Sequence, residues 1–234
     1  MQKSMIKLLS IADAISITNA VFGFLAIIFL ISNLGTCEEF QVRASFSFIL
    51  LALLADGLDG IVARKTKKSK IGEYLESMAD MTSMVIAPAA FIYFIYSDSI
   101  GCCFYRHIYL LFALILFLSF GIIRLASFHI MKKDKFFVGL PASASTILIL
   151  ILAYFEVEFI YILPAVIIIG AATVSDIKFL KPGIKINAIA TILILLTLVM
   201  YDSYWRIAPI LLLISIIIYV TVGSVFLKFL IKKR

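Results

Sequence analysis

The sequence predicts an all-α polytopic membrane protein of about eight transmembrane helices, preceded by a short N-terminal amphipathic helix. Three observations lead there. Of the 234 residues, 63% are hydrophobic and 15% charged, whereas soluble domains are about 45–50% apolar and about 25% charged. Apolar runs of about 20 residues, the length that crosses a bilayer, recur along the whole chain and give a mean hydropathy of +1.13. Most of the 21 Lys and Arg fall on one side of the spans those runs define, the asymmetry of a positive-inside topology. No separate soluble domain fits between the spans, so residues 1–234 read as a single membrane-embedded domain.

Residues 1–12, MQKSMIKLLSIA, carry the pattern of a helix lying on the membrane surface. Spans follow at about 14–33, 43–64, 74–97, 107–131, 140–155, 158–176, 185–201 and 206–228. An even number of crossings returns both termini to one side. On that side fall the basic loops around Arg64–Lys70, Lys132–Lys135 and Lys178–Lys185, together with both chain ends. Glu38, Glu39, Asp98, Glu156, Glu158 and Asp202 gather on the other. The basic side is expected to face the cytoplasm of a cell membrane. The same asymmetry accounts for the formal charge of +7, so no nucleic-acid partner is expected. The three cysteines lack metal-ligand spacing and read as inert, and with two histidines a His-rich metal site is excluded.

Function is sought where charge sits at membrane depth, and that is residues 55–84, ADGLDGIVARKTKKSKIGEYLESMADMTSM. Asp56 and Asp59 are three apart and share a helix face. Glu76 and Asp80, four apart, share a face of the next helix. Two antiparallel neighbours would bring four carboxylates together. Each charge at a helix centre costs about 2.5–3.5 kcal/mol on insertion scales, and like charges resist joint ionisation, so something positive must join them. All-oxygen donors favour hard divalent cations, Mg²⁺ or Mn²⁺, and a pair of such ions attracts a pyrophosphate. Gly60 and Ala63 remove bulk on that face, and Arg64 and Lys65 can pair with phosphate oxygens. Helix caps and loop ion pairs would account for one or two acids, not for four on facing surfaces. An ion-coupled transporter would also use intramembrane carboxylates, but near the bilayer midplane rather than at one edge beside a basic loop.

This stretch resembles the CDP-alcohol phosphatidyltransferases, whose pattern is Asp-x2-Asp-Gly-x2-Ala-Arg, eight or nine residues, then Gly-x3-Asp-x3-Asp. Here it reads Asp56, Asp59, Gly60, Ala63, Arg64, Gly72, Glu76, Asp80. The spacer, residues 65–71, is shorter than the pattern's, and Glu76 stands for its third aspartate. Further segments resemble the phosphatidylserine synthase branch: Thr18, Asn19 and Gly23 in ITNAVFGFLAI, then LESMADMTSMVIAP, IIRLASFHI with Arg124, FFVGLP at 136–141 and VSDIKFLK at 174–181. Ser127 and His129 depart from that branch's pattern.

The resemblance implies an enzyme that moves a phosphatidyl or archaetidyl group from CDP-diacylglycerol or CDP-archaeol to L-serine and releases CMP. It further implies two divalent ions, Mg²⁺ or Mn²⁺, on Asp56, Asp59, Glu76 and Asp80, with Asp80 as general base. The CDP-lipid would meet Asp56, Gly60, Ala63, Arg64 and Gly72. A serine carboxylate needs a cation, for which Arg124, within an apolar run, is the first candidate and Lys178 and Lys181 the next. A homodimer is implied as well. Glycerol 3-phosphate or inositol phosphate as acceptor would keep the family but require an additional basic cluster.

Overall fold

The computed structural model describes residues 9–32, 38–65, 69, 71–101, 103–131, 136–200 and 207–232. Among these, helices form α1 (Ile11–Ile31), α2 (Glu38–Lys65), α3 (Gly72–Asp80), α4 (Ala87–Ile100), α5 (Phe104–Met131), α6 (Ala142–Tyr154), α7 (Phe159–Thr173), α8 (Ile184–Val199) and α9 (Ile207–Lys232). A π-helical stretch, Met81–Ile86, joins α3 to α4. Among the described residues, four helices are long and apolar enough to cross a membrane: Ile11–Ile31, Glu38–Gly60, Gly72–Ser97 and Phe104–Phe128. Shorter apolar helices follow, beginning with the 13 residues of α6, about 20 Å at 1.5 Å per residue. Each expected span therefore finds a helix, and the architecture is that of a mostly helical membrane protein.

Two features add to the expected helices, and one expected helix lies largely outside the described residues. The chain is not wholly α-helical: β1 (Phe136–Val138) pairs antiparallel with β2 (Lys178–Leu180), Phe137 opposite Phe179. The segments before α6 and after α7 run side by side, and pairing satisfies backbone groups that no helix there could. Gly139 closes this corner at φ 77°, its N–H donating to the Ile177 carbonyl at 2.8 Å. Second, the proposed surface helix at 1–12 falls mostly outside the described residues, and Ile11 and Ala12 already belong to α1. There Ser10 Oγ accepts from the Asp13 N–H at 3.3 Å while Asp13 Oδ2 accepts from the Ser10 N–H at 2.7 Å, a reciprocal cap that starts the helix early. Third, the π-helical stretch shifts the register within what reads as one uninterrupted span.

By its internal contacts the chain divides into two compact units, Met1–Phe91 and Ile92–Arg234. In the first, α1 packs along α2, α3 and the π-helical turns. Its buried stripe is Ala12, Ser16, Asn19, Gly23, Ala26 and Leu30, a spacing of four and three that keeps one seam facing its neighbours. Small residues on that seam let backbones approach. A Cβ on Gly23 would lie 2.6 Å from the Ser83 Cα, so the glycine is what allows α1 to touch the π-helical turns. Phe46, Ile49, Leu50 and Phe91 fill the core, and Phe29 meets Phe48 at 5.2 Å.

In the second unit α5 packs against α7, and α9 against α6, α8 and β2. Gly170 gives α7 its approach to α5, a Cβ there coming within 3.0 Å of the Phe120 ring. Two phenols fasten helices to carbonyls: Tyr96 donates to Val157 O at 2.6 Å and Tyr219 to Leu180 O at 2.9 Å. Hydroxyls on the helices mostly bond carbonyls of their own helix, as Thr146 does to Ala142 O at 2.9 Å, since lipid offers no other partner.

Candidate active site

The C-terminal part of α2 carries Asp56 and Asp59, and α3 carries Glu76 and Asp80. One carboxylate oxygen from each of Asp56, Glu76 and Asp80 lies within 4.8 Å of the others. All three side chains are half-buried. Glu76, one methylene longer than the family's aspartate, still reaches the cluster. Asp59 lies outside this trio: it is 5% exposed and its Oδ2 accepts from Ser16 Oγ at 2.7 Å.

From α1, one turn beyond Ser16, Asn19 Nδ2 donates to Asp80 Oδ1 at 3.1 Å. The α1 seam thus holds one acid from each of the two acid-bearing helices. Asn19 is fully buried and its Oδ1 has no partner, a deficit that costs about 1–3 kcal/mol in a protein interior. Neither Ser16 nor Asn19 was a sequence candidate for the site, although Asn19 lies in the branch-like first segment. The available signal was a polar pair on a seam of small residues inside an otherwise apolar helix.

The motif glycines differ in what surrounds them. A Cβ on Gly72 would sit 2.9 Å from Asp13 Oδ1, so this glycine is required by the buried carboxylate that caps α1. A Cβ on Gly60 would meet nothing within 4 Å; protein packing does not demand a glycine there, and the open space suits a ligand. Ala63 and Arg64 continue α2, with side chains outside the described residues.

The remaining candidates lie in the second unit, around β1. Arg124 is 7% exposed; its Nε donates to Leu140 O at 3.4 Å and its guanidinium stands 5.2 Å over the Phe128 ring. Phe128 meets Phe137 at 6.1 Å. Lys181 stands over Phe137 at 5.2 Å and Lys178 over Phe136 at 5.1 Å. Arg124 and Lys181 thus share the Phe128–Phe137 pair, each within cation–π reach of a ring, while Lys178 lies with Phe136, which as the next residue of the strand faces the other side of the ribbon.

The donor set of the acidic trio fits a divalent metal. Its oxygens are hard and ionisable, lie close enough to be bridged by one ion, and need a counter-charge because like carboxylates at membrane depth cannot all remain ionised alone.

The profile of the CDP-alcohol phosphatidyltransferase family matches residues 9–221. A CDP-diacylglycerol–serine O-phosphatidyltransferase of Methanocaldococcus jannaschii is 32% identical over 183 residues, covering 77% of this chain and 78% of the relative. An archaetidylserine synthase of Methanothermobacter thermautotrophicus is 32% identical over 151 residues, 63% of this chain and 59% of the relative. A phosphatidylcholine synthase of Pseudomonas aeruginosa is 28% identical over 182 residues, 72% of this chain and 67% of the relative. With three of its four motif acids folded into one cluster and nearly its whole length inside the profile, the chain belongs to the CDP-alcohol phosphatidyltransferase family.

Proposed function

We propose that the protein transfers the phosphatidyl or archaetidyl group of a CDP-linked lipid to the hydroxyl of L-serine and releases CMP. The observation that carries the chemistry is the convergence of Asp56, Glu76 and Asp80; the acceptor rests on the names of the M. jannaschii and M. thermautotrophicus relatives. Family membership leaves ion-coupled transport without a supporting observation.

In this reading Asp80 is the general base. It accepts the serine hydroxyl proton as the oxygen bonds to the lipid-side phosphorus and the bond from that phosphorus to the CMP oxygen breaks in line. Asp56, Asp59, Glu76 and Asp80 would hold two divalent ions, Mg²⁺ or Mn²⁺, which when bound supply charge neutralisation for the pyrophosphate and the departing CMP. The open face at Gly60, together with Ala63, admits the nucleotide to the α2 backbone. Arg64 pairs with phosphate, and Gly72 keeps the start of α3 against Asp13. Arg124, with Lys178 and Lys181, receives the serine carboxylate. The family match spans both compact units, which supports their acting as one domain over residues 1–234. Eight crossings, cytoplasmic termini, a cytoplasmic active site in the cell membrane and a homodimer complete the proposal.

Purified protein given CDP-diacylglycerol or CDP-archaeol, L-serine and Mn²⁺ or Mg²⁺ should release CMP only when serine is present, and EDTA should abolish release. Asp80→Asn should lower turnover by about 10²–10⁴-fold, the usual contribution of a positioned base. Glu76→Asp puts the family pattern's own residue at this position and should retain measurable turnover, and its rate relative to wild type reads whether the longer glutamate helps or hinders the trio. Release with glycerol 3-phosphate or inositol phosphate but not serine would overturn the acceptor.

A further inference from the structure

We propose that Asn19 is a positioning residue for the transfer reaction, holding the Asp80 carboxylate in its working orientation from α1; the proposal rests on the reading of Asp80 as general base. Asn19 is fully buried, so it touches no substrate, and its hydrogen bond across helices is the one from Nδ2 to Asp80 Oδ1 at 3.1 Å. That bond stops rotation of the carboxylate about its Cβ–Cγ axis. Two neighbouring hydroxyls, those of Thr18 and Ser83, behave differently. Thr18 bonds Ala14 O at 2.9 Å and Ser83 bonds Ala79 O at 3.0 Å, each within its own helix, whereas the Asn19 amide reaches a second helix and leaves its own Oδ1 unpaired. A leucine of similar size would remove the orphaned acceptor, but it would also take from the Asp80 carboxylate its donor in α1. A buried amide with its acceptor unpaired and one donor aimed at the acid nearest the chemistry is placed to set that acid's geometry.

The same seam secures the surroundings of that bond. Ser16 holds Asp59 one turn earlier, and Gly23 one turn later admits the π-helical stretch that begins at Met81, directly after Asp80. Asp80 is therefore fixed along its own helix by the π-helical turns and across helices by Asn19. Without Asn19 the carboxylate keeps its side-chain hydrogen bond with Asp56 but loses its donor from α1, and with it part of its restraint against rotation.

The test compares wild type with Asn19→Leu for turnover, KM of CDP-lipid, KM of serine and Tm. The expected result is a turnover about 10–100-fold lower, the loss that misorientation near an ångström produces, with both KM values within about twofold and Tm lowered by no more than the few degrees that one hydrogen bond accounts for. A purely structural role would lower Tm by more than that or move KM and turnover together. Should Asn19→Leu fail to fold, Asn19→Ala is read in its place. Turnover within about twofold of wild type in a folded variant overturns the proposal, as does a loss that tracks Tm. A wild type that releases no CMP with serine, run in parallel, overturns the functional reading and this inference with it.

Discussion

Two glycines of one motif make the residue-scale argument, because the structure assigns them opposite reasons. Gly72→Ala would drive a methyl group to 2.9 Å from Asp13 Oδ1, and overpacking of this kind costs about 1–3 kcal/mol. Gly60→Ala meets open space and exchanges glycine for a better helix former, a gain of about 0.5–1 kcal/mol. The expected outcome is a lower Tm for Gly72→Ala, and for Gly60→Ala an unchanged or higher Tm with a raised KM for CDP-lipid. A Gly60→Ala enzyme with wild-type KM would mean that no ligand approaches that face. The acids were legible in the sequence because their spacings of three and four fix a shared helix face whatever the tertiary fold. Asp13, Ser16 and Asn19 were not, since their relevance depends on which side of α1 meets α2 and α3, and no local spacing states that.

Among the elements, α1 and the β1–β2 ribbon show where helical periodicity stops being informative. Each apolar run became a helix within a few residues of its expected ends, because lipid permits little besides hydrogen-bonded helix. The π-helical stretch was hidden, since one extra residue in a turn leaves composition untouched. So was the ribbon: FFV and KFL are each only three residues long, and they pair across a separation that only the return of α6 and α7 closes. The ribbon nevertheless orders Phe136 and Phe137 beneath Lys178 and Lys181. Its corner depends on Gly139, at φ 77°, where a Cβ would run into the Thr173 carbonyl oxygen. Gly139→Ala combines a left-handed backbone with that clash, an expected cost of about 1–3 kcal/mol, or a fall of several degrees in Tm at about 2–4 °C per kcal/mol. The KM of serine should rise with it if the two lysines help hold the acceptor. An unaltered Tm would show that the corner is not strained as described; a lowered Tm with unaltered KM would remove the lysines from the serine site.

At the scale of the whole molecule the open matter is orientation, and one exposed thiol addresses it. Gly72–Ser97 is a single helical span of 26 residues, about 39 Å at 1.5 Å per residue against a hydrocarbon core of about 30 Å. Glu76 and Asp80 stand near its start, and Cys103, which is exposed, follows its end. If the basic loops face the cytoplasm, the acids lie on the side that soluble serine and released CMP occupy, and Cys103 must face out. With Cys37→Ser and Cys102→Ser removing the other thiols, a membrane-impermeant maleimide added to intact cells should label Cys103. A thiol introduced by Ser69→Cys, in a Cys103→Ser background, should react only after permeabilisation. The reverse pattern would put the KTKKSK loop and the carboxylates outside. The active site would then be separated from the cytosolic pool of its acceptor, and the charge asymmetry of the sequence would need another cause. Labelling of both thiols in intact cells would mean that this span does not cross, and the count of eight would fall with it.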